Sequence, residues 1–301
     1  MLPSTHRTGS NRAIRIDFLG PPGVGKTTLI KSALASVRNA GRSAARNCFT
    51  DMDQALAIAA RNCSRLAPRG RIGTGCFRSA NGHGRSFWYR VIRLLSRRLA
   101  NECVSLQKME DVRDFVRKHA SVVHVLVSEW FDPALRFEPL AARYYDFFEW
   151  IRPWIIATKY ATDKIILADN SRFTKGIAWL LNSDKLVEAA GGICAVQACF
   201  QSIAGPSAVV CLNADPREIV SRVRYRQEHG FVHPAHRDQD DEGIMAYTAT
   251  WLSVNARATA VFRRWGVPTL VLDANAPIHT NVHSLLTFAE NVRVGLDSGK
   301  A

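Results

Sequence analysis

The stretch Gly20-Pro21-Pro22-Gly23-Val24-Gly25-Lys26-Thr27 follows the phosphate-binding loop pattern of a glycine, four residues, then Gly-Lys-Ser/Thr. It follows an alternating apolar run, Ala13 to Leu19, that reads as a strand, and it leads into a helix predicted over 25–39. A strand that empties into a glycine-rich turn and then a helix leaves the turn's backbone N–H groups free to converge on a phosphate. Gly23 and Gly25 permit the backbone angles and the close approach to a ligand, and Gly20, Pro21, Pro22 and Val24 are expected in the same ATP-binding loop. Lys26, expected on a solvent-facing loop, reaches the outer phosphates, Thr27 offers its hydroxyl to Mg²⁺, and Thr28 follows in the first turn of the helix. The pattern implies a nucleoside triphosphate ligand.

Further along, short apolar runs end in carboxylates. Ala44 to Phe49 reads as a strand before Asp51 and Asp53, and Ser121 to Val127 as a Val-rich strand before Glu129 and Asp132. Lys164 to Ala168 ends at Asp169, Ala208 to Leu212 precedes Asp215-Pro216, and Thr269 to Leu272 precedes Asp273. Helices are expected between them, including a long one over 134–161 kinked or broken at Pro153. Alternating strands and helices predict an α/β fold with a doubly wound parallel sheet, whose ligands sit beyond the carboxyl ends of the strands. The 301 residues read as a single domain over 1–301, with 54–120 a largely helical, Arg-rich insertion.

The net charge of +14 is unevenly placed: from Gln54 to Asn101 there are ten arginines and no Asp, Glu or Lys. Arginine favours bidentate contacts with phosphate or carboxylate. A helix predicted from Ser86 sets Phe87, Trp88, Val91, Leu94, Leu95 and Leu99 against Arg90, Arg93 and Arg97. Such a face suits a solvated surface, an anionic acceptor, nucleic acid or an anionic membrane, and the sequence leaves these open. No run of 18 apolar residues and no apolar leader is present, and the seven cysteines lack close CxxC pairs. The chain is therefore expected to be cytoplasmic, with reduced thiols and no zinc site. His229, His233 and His236 read as polar residues near a nucleotide rather than a metal cluster, and His279 and His283 as a surface pair on a helix.

Four further segments resemble the nucleoside-monophosphate kinases, and thymidylate kinase in particular. Ala141-Ala142-Arg143, with Arg152-Pro153 nine residues after that arginine, is similar to their acceptor-pocket segment. Ile165 to Thr174 resembles the strand and Asp-Arg-x-x-x-Ser motif, with Asp169 and Thr174 in register and Asn170 where the motif has arginine. Val209 to Glu218, followed by Arg222, Arg224 and Arg226, resembles the fourth strand and arginine-bearing lid. Val267 to Pro277 is similar to the final strand and adenine-side loop. The resemblance covers about 13–50 and 134–293.

The resemblance implies an ATP-dependent kinase, with Mg²⁺ as cofactor and ATP as phosphoryl donor. It implies catalytic roles for Lys26, Asp169, Arg222 and Arg226, and a metal site at Thr27 and Asp169. Asp169 is read as metal ligand or as general base, with a helix cap as the structural alternative. The acceptor would meet Asp51, Glu129, Arg143 and Arg172, the last standing in for the arginine absent at Asn170. The partners expected are ATP and a small-molecule acceptor, a nucleotide, nucleoside or other anionic molecule, with a homodimer left open. The alternative is a P-loop ATPase coupling hydrolysis to nucleic acid or membrane through the Arg-rich insertion.

Overall fold

Five β-strands, all parallel, form the central sheet of the computed structural model, which describes residues 13–39, 49–66, 107–129, 140–162, 164–169, 171–202, 205–231 and 233–297. The strands are β1 (Ile14–Leu19), β2 (Phe49–Asp51), β3 (Ile165–Ala168), β4 (Ala208–Asn213) and β5 (Thr269–Asp273), in the spatial order β2-β3-β1-β4-β5. The expected α/β doubly wound parallel sheet is what the chain forms. β1 is central: Ile16 is in register with Leu167 of β3 and with Ala208 of β4. The chain runs from β1 to the β2 edge, then crosses back through β3 to β4 and β5. The connections thus reverse about β1, and its carboxyl end, where the glycine-rich loop begins, is the place this topology keeps for ligands.

The helices are α1 (Lys26–Asn39), α2 (Met52–Leu66), α3 (Gln107–Lys118), α4 (Ala120–Ser128), α5 (Leu140–Tyr160), α6 (Arg172–Leu180), α7 (Asp184–Ala189), α8 (Ile193–Phe200), α9 (Pro216–Glu228), α10 (Asp241–Arg264) and α11 (Ile278–Asp297). On one face of the sheet, Ile16, Phe18, Val210 and Leu212 pack with Leu29 and Ala33 of α1, Ile219 of α9 and Leu285 of α11. On the other, Leu19, Val209 and Cys211 pack with α3–α6, α8 and α10 through Phe115, Val123, Ile155, Phe173, Phe200 and Phe262. Long helices such as α1 and α10 present an apolar stripe because their apolar residues recur every three to four positions. Ser171, Asp215 and Asp240 each cap a following helix by accepting from a backbone N–H, those of Thr174, Arg217 and Gly243.

The Val-rich run Ser121–Val127, expected as a strand, lies in helix α4. Val122, Val123, Val125, Leu126 and Val127 are all buried, and a continuous apolar run has the same pattern in a buried helix as in a buried strand. Tertiary burial overrides the modest helix penalty of β-branched residues. Glu129, expected at a strand end, therefore sits at the C-cap of α4, exposed, with its N–H donating to the Val125 carbonyl. Pro153 neither ends nor interrupts α5. A mid-helix proline costs about 3 kcal/mol. Here Phe147 and Ile151 before it and Ile155 after it bury into one core, while Ile156 and Ala157 pack on α2.

β1 departs from its expected apolar alternation. Arg15 and Asp17 are 0 % exposed and form a bidentate pair, Arg15 Nε to Asp17 Oδ1 at 2.9 Å and an Arg15 terminal nitrogen to Asp17 Oδ2 at 3.1 Å. The guanidinium lies 4.7 Å from the Trp154 ring centroid and the Thr174 hydroxyl donates to Asp17. Both faces of the strand are covered, so its polar positions needed internal partners.

Parts of the stretch read as an insertion belong to this body. Ala55 and Ala59 of α2 pack on Ala157 of α5 and Ala161 just past its end, and Val112 and Phe115 of α3 join the core. The predicted strand residues 44–48, the arginines from Arg69 to Arg98 with the helix from Ser86, and Asp132, 134–139 and Asn170 lie outside the described residues. No described helix is long and apolar enough to cross a membrane.

Candidate active site

Gly20, Gly23 and Gly25 all have φ between +90° and +145°, which only glycine adopts without strain. Space demands glycine as well at two of them. A Cβ on Gly20 would stand 2.9 Å from the Leu212 carbonyl oxygen, and one on Gly23 would stand 3.1 Å from Val223 and 3.2 Å from Ile219 of α9. The loop is thus clasped between β4 and α9. Val24 is fully buried beneath it.

Lys26 is not solvent-facing. It is 7 % exposed, and its ammonium donates to the Gly20 carbonyl at 2.7 Å and the Pro21 carbonyl at 2.9 Å. Burial pushes its pKa down to about 7; the nearby Lys175 adds to the shift and Asp169 opposes it. Thr27 and Thr28 are exposed at the start of α1, and the Thr27 hydroxyl donates to the Asp169 carboxylate just past the end of β3. Ser171, not Asp169, caps α6, so the helix-cap alternative for Asp169 does not hold.

A cleft opens over this loop. Pro22, Gly23, Gly25, Lys26 and Thr27 form one wall, and Asp169 and Lys175 a second. The third comes from α9 and the turn after it: Val223, Arg226, Phe231, His233 and His236. Of the expected site residues, the structure therefore brings Lys26, Thr27, Asp169 and Arg226 together. Arg222 lies outside the lining. Its guanidinium donates to the Val24 carbonyl at 3.2 Å, the Ala274 carbonyl at 3.3 Å and Asn275 Oδ1 at 3.2 Å, tying the loop to the turn after β5.

The four expected acceptor residues do not line the cleft. Asp51 ends β2 and accepts from the Gln54 N–H at 2.8 Å; burial raises its pKa. Arg143 donates to the Ser128 carbonyl at 2.9 Å, beside Glu129. Arg172 pairs with Asp146 at 3.5 Å and borders a separate depression with Leu126, Phe147 and Trp154. Asp273 ends β5, where it accepts from the Asn275 N–H at 2.9 Å.

Of two further cleft residues, Lys175 carried no usable sequence signal, and His236, expected near a nucleotide, was not expected to be buried. Lys175 is half-buried, and its pKa falls to about 8 through burial, opposed by Asp169 and reinforced by Arg172. His236 is 0 % exposed, packed edge-on against Tyr247 at 5.4 Å; burial lowers its pKa, while Gln239 and the Pro22 backbone favour the protonated ring. Among the described residues no three His, Cys, Asp or Glu side chains are grouped to hold a metal. The adjoining Thr27 hydroxyl and Asp169 carboxylate are instead the sparse hard-oxygen set that suits Mg²⁺, which takes one or two protein oxygens together with phosphates.

No family model matches the chain, and no curated protein matches it. Among solved structures it is similar to shikimate kinase from Bacteroides thetaiotaomicron, at 14% identity over 92% of this chain and 98% of that chain, with a TM-score of 0.34. A score that low does not by itself establish a common fold. The sheet order and the glycine geometry are the chain's own, and they make it an α/β protein with a P-loop at the carboxyl end of its central strand.

Proposed function

We propose that this chain is an ATP-dependent kinase that transfers a phosphoryl group to a small-molecule acceptor. The observation that carries the reading is the convergence of Lys26, Lys175 and Arg226 with Thr27 and Asp169 on one cleft over the glycine-rich loop. Phosphoryl transfer requires positioning and charge neutralisation more than covalent chemistry. Three cations from three different elements, beside a hydroxyl–carboxylate pair, meet that requirement.

In this reading the loop N–H groups and Lys26 hold the donor's phosphates, and Arg226 neutralises the group in transit. Thr27 and Asp169 would hold Mg²⁺, which when bound screens the phosphate charge. Asp169 is alternatively the base that accepts the acceptor's proton. Arg222 fixes the loop against the turn at Ala274 and Asn275, where the resemblance puts the adenine. The finer assignment, to the thymidylate kinase type with a phosphorylated or otherwise anionic acceptor, draws on Asp169 and Thr174 in register. Asp51, Glu129, Arg143 and Arg172 are its candidate acceptor contacts. A single domain over 1–301 and a cytoplasmic setting complete the proposal.

The test is a metabolite-pool screen with terminally labelled ATP and Mg²⁺, beginning with nucleosides, nucleotides and sugars. A labelled small product, lost in Lys26→Ala, is expected. Label released only as free phosphate, and only when DNA, RNA or anionic vesicles are added, would overturn the kinase reading in favour of a partner-coupled ATPase.

A further inference from the structure

Arg172 and Lys175 sit one helical turn apart at the start of α6, and their surroundings divide them. Arg172 takes Asp146 of α5 at 3.5 Å and borders the depression beside Phe147 and Trp154. Lys175 lines the cleft over the loop, together with Lys26, Thr27, Asp169 and Arg226. The cation that the β3 side delivers to this cleft is thus the lysine and not the arginine.

Lys175 and Lys26 lie near enough to repel each other, with the single carboxylate of Asp169 acting on both. Two ammonium groups close to one another in one cleft, beside Asp169, favour an anion that enters between them. A polyphosphate supplies that anion. Lys26 approaches it from the β1 side and Arg226 from α9, whereas Lys175 approaches from the β3 side, past Asp169. In a loop of this kind the glycines take the inner phosphates, and the Thr27–Asp169 pair stands beside the outer ones, so a cation close to Asp169 falls nearest the terminal phosphate.

We propose, resting on the kinase reading, that Lys175 is a catalytic residue that contacts the terminal, transferring phosphoryl group of the bound triphosphate. The bond broken joins the terminal phosphorus to its bridging oxygen, and the bond formed joins that phosphorus to the acceptor oxygen. The acceptor's proton goes to a base, for which Asp169 is the nearby carboxylate. Lys175 stays charged throughout and moves no proton.

The experiment is calorimetric titration of the full chain, wild type and Lys175→Met, Lys175→Gln and Lys175→Arg, with Mg²⁺ and either ADP or a non-hydrolysable ATP analogue. Hydrogen bonds to charged groups are strong enough for a loss of roughly tenfold or more in affinity for the triphosphate analogue in the Met and Gln variants. ADP affinity should stay within about twofold, and Lys175→Arg should recover part of the loss, since the charge is kept. Equal losses for both nucleotides, or no loss for either, would overturn the proposal while leaving the kinase reading standing. A wild-type chain that binds neither nucleotide overturns both. Thermal unfolding of each variant runs alongside, and collapse of all three would show Lys175 to be a structural residue, which also overturns the proposal.

Discussion

The Thr27 hydroxyl donates to the Asp169 carboxylate, joining the first turn of α1 to the residue just past the end of β3. Asp169→Asn preserves the size of that side chain and removes its charge. We expect kcat to fall by at least about a hundredfold, as for a lost metal contact or base. Steady-state rates at saturating Mg²⁺ check this, and a near-normal rate would reduce Asp169 to a structural partner of Thr27.

Lys26→Ala should abolish turnover without unfolding the protein. Its ammonium is buried against the Gly20 and Pro21 carbonyls, so the variant loses two loop hydrogen bonds but also sheds a desolvated charge. Circular dichroism with an activity assay separates the effects, and wild-type turnover in the folded variant would end the phosphate role of Lys26.

Arg222 and Arg226 share a face of α9 by their spacing, yet they should behave differently. Arg226 lines the cleft, so Arg226→Ala should lower kcat more than it raises the KM for ATP. Arg222 ties Val24 to Ala274 and Asn275, so Arg222→Ala should chiefly raise the KM for ATP. Identical kinetic profiles for the two variants would contradict this division.

The lysines predict a pH dependence of stability without ligand. Burial lowers Lys26 to about 7 and Lys175 to about 8, below the value of 10.5 for an exposed lysine. Between those limits the unfolded chain binds more protons than the folded one, so stability should rise with pH. Above about pH 9 the buried Cys199 thiol, pushed up to about 12, works in the opposite direction, so the rise belongs between about pH 7 and 9. Urea midpoints across that window should climb in the wild type and climb less in Lys26→Met.

Asp17→Ala should cost about 3–5 kcal/mol, because it leaves the Arg15 guanidinium buried with no carboxylate. Chemical denaturation measures this directly. A cost below about 1 kcal/mol would mean that the pair is readily replaced by water or by Thr158.

The loop was legible because phosphate binding restricts residue type position by position: glycine where φ is positive, then lysine, then a hydroxyl. β3, β4 and β5 were legible as short apolar runs ended by turn residues. α4 was not, since a run of buried valines looks alike in either periodicity and only its neighbours α3 and α5 settle it. Nor was Lys175, a lone lysine whose meaning depends on which way α6 is rotated over the sheet. The spacing of Arg222 and Arg226 gave a shared helix face, but the pull of Ala274 and Asn275 on one of them is a long-range fact. Asp51, Glu129, Arg143 and Arg172 were named from sequence order, which does not show whether the space between them closes into one pocket.

The Arg15–Asp17 pair in β1 also fixes the strand's frame. A slip of one residue along β3 and β4 would turn both charges toward Leu29 and Leu285, away from Thr158 and Thr174, and move Ile16 and Phe18 off their core. An all-apolar strand would tolerate that error far better. β1 can therefore dock in one frame only, which sets the height at which its loop emerges and so lets Thr27 meet Asp169 from a different strand.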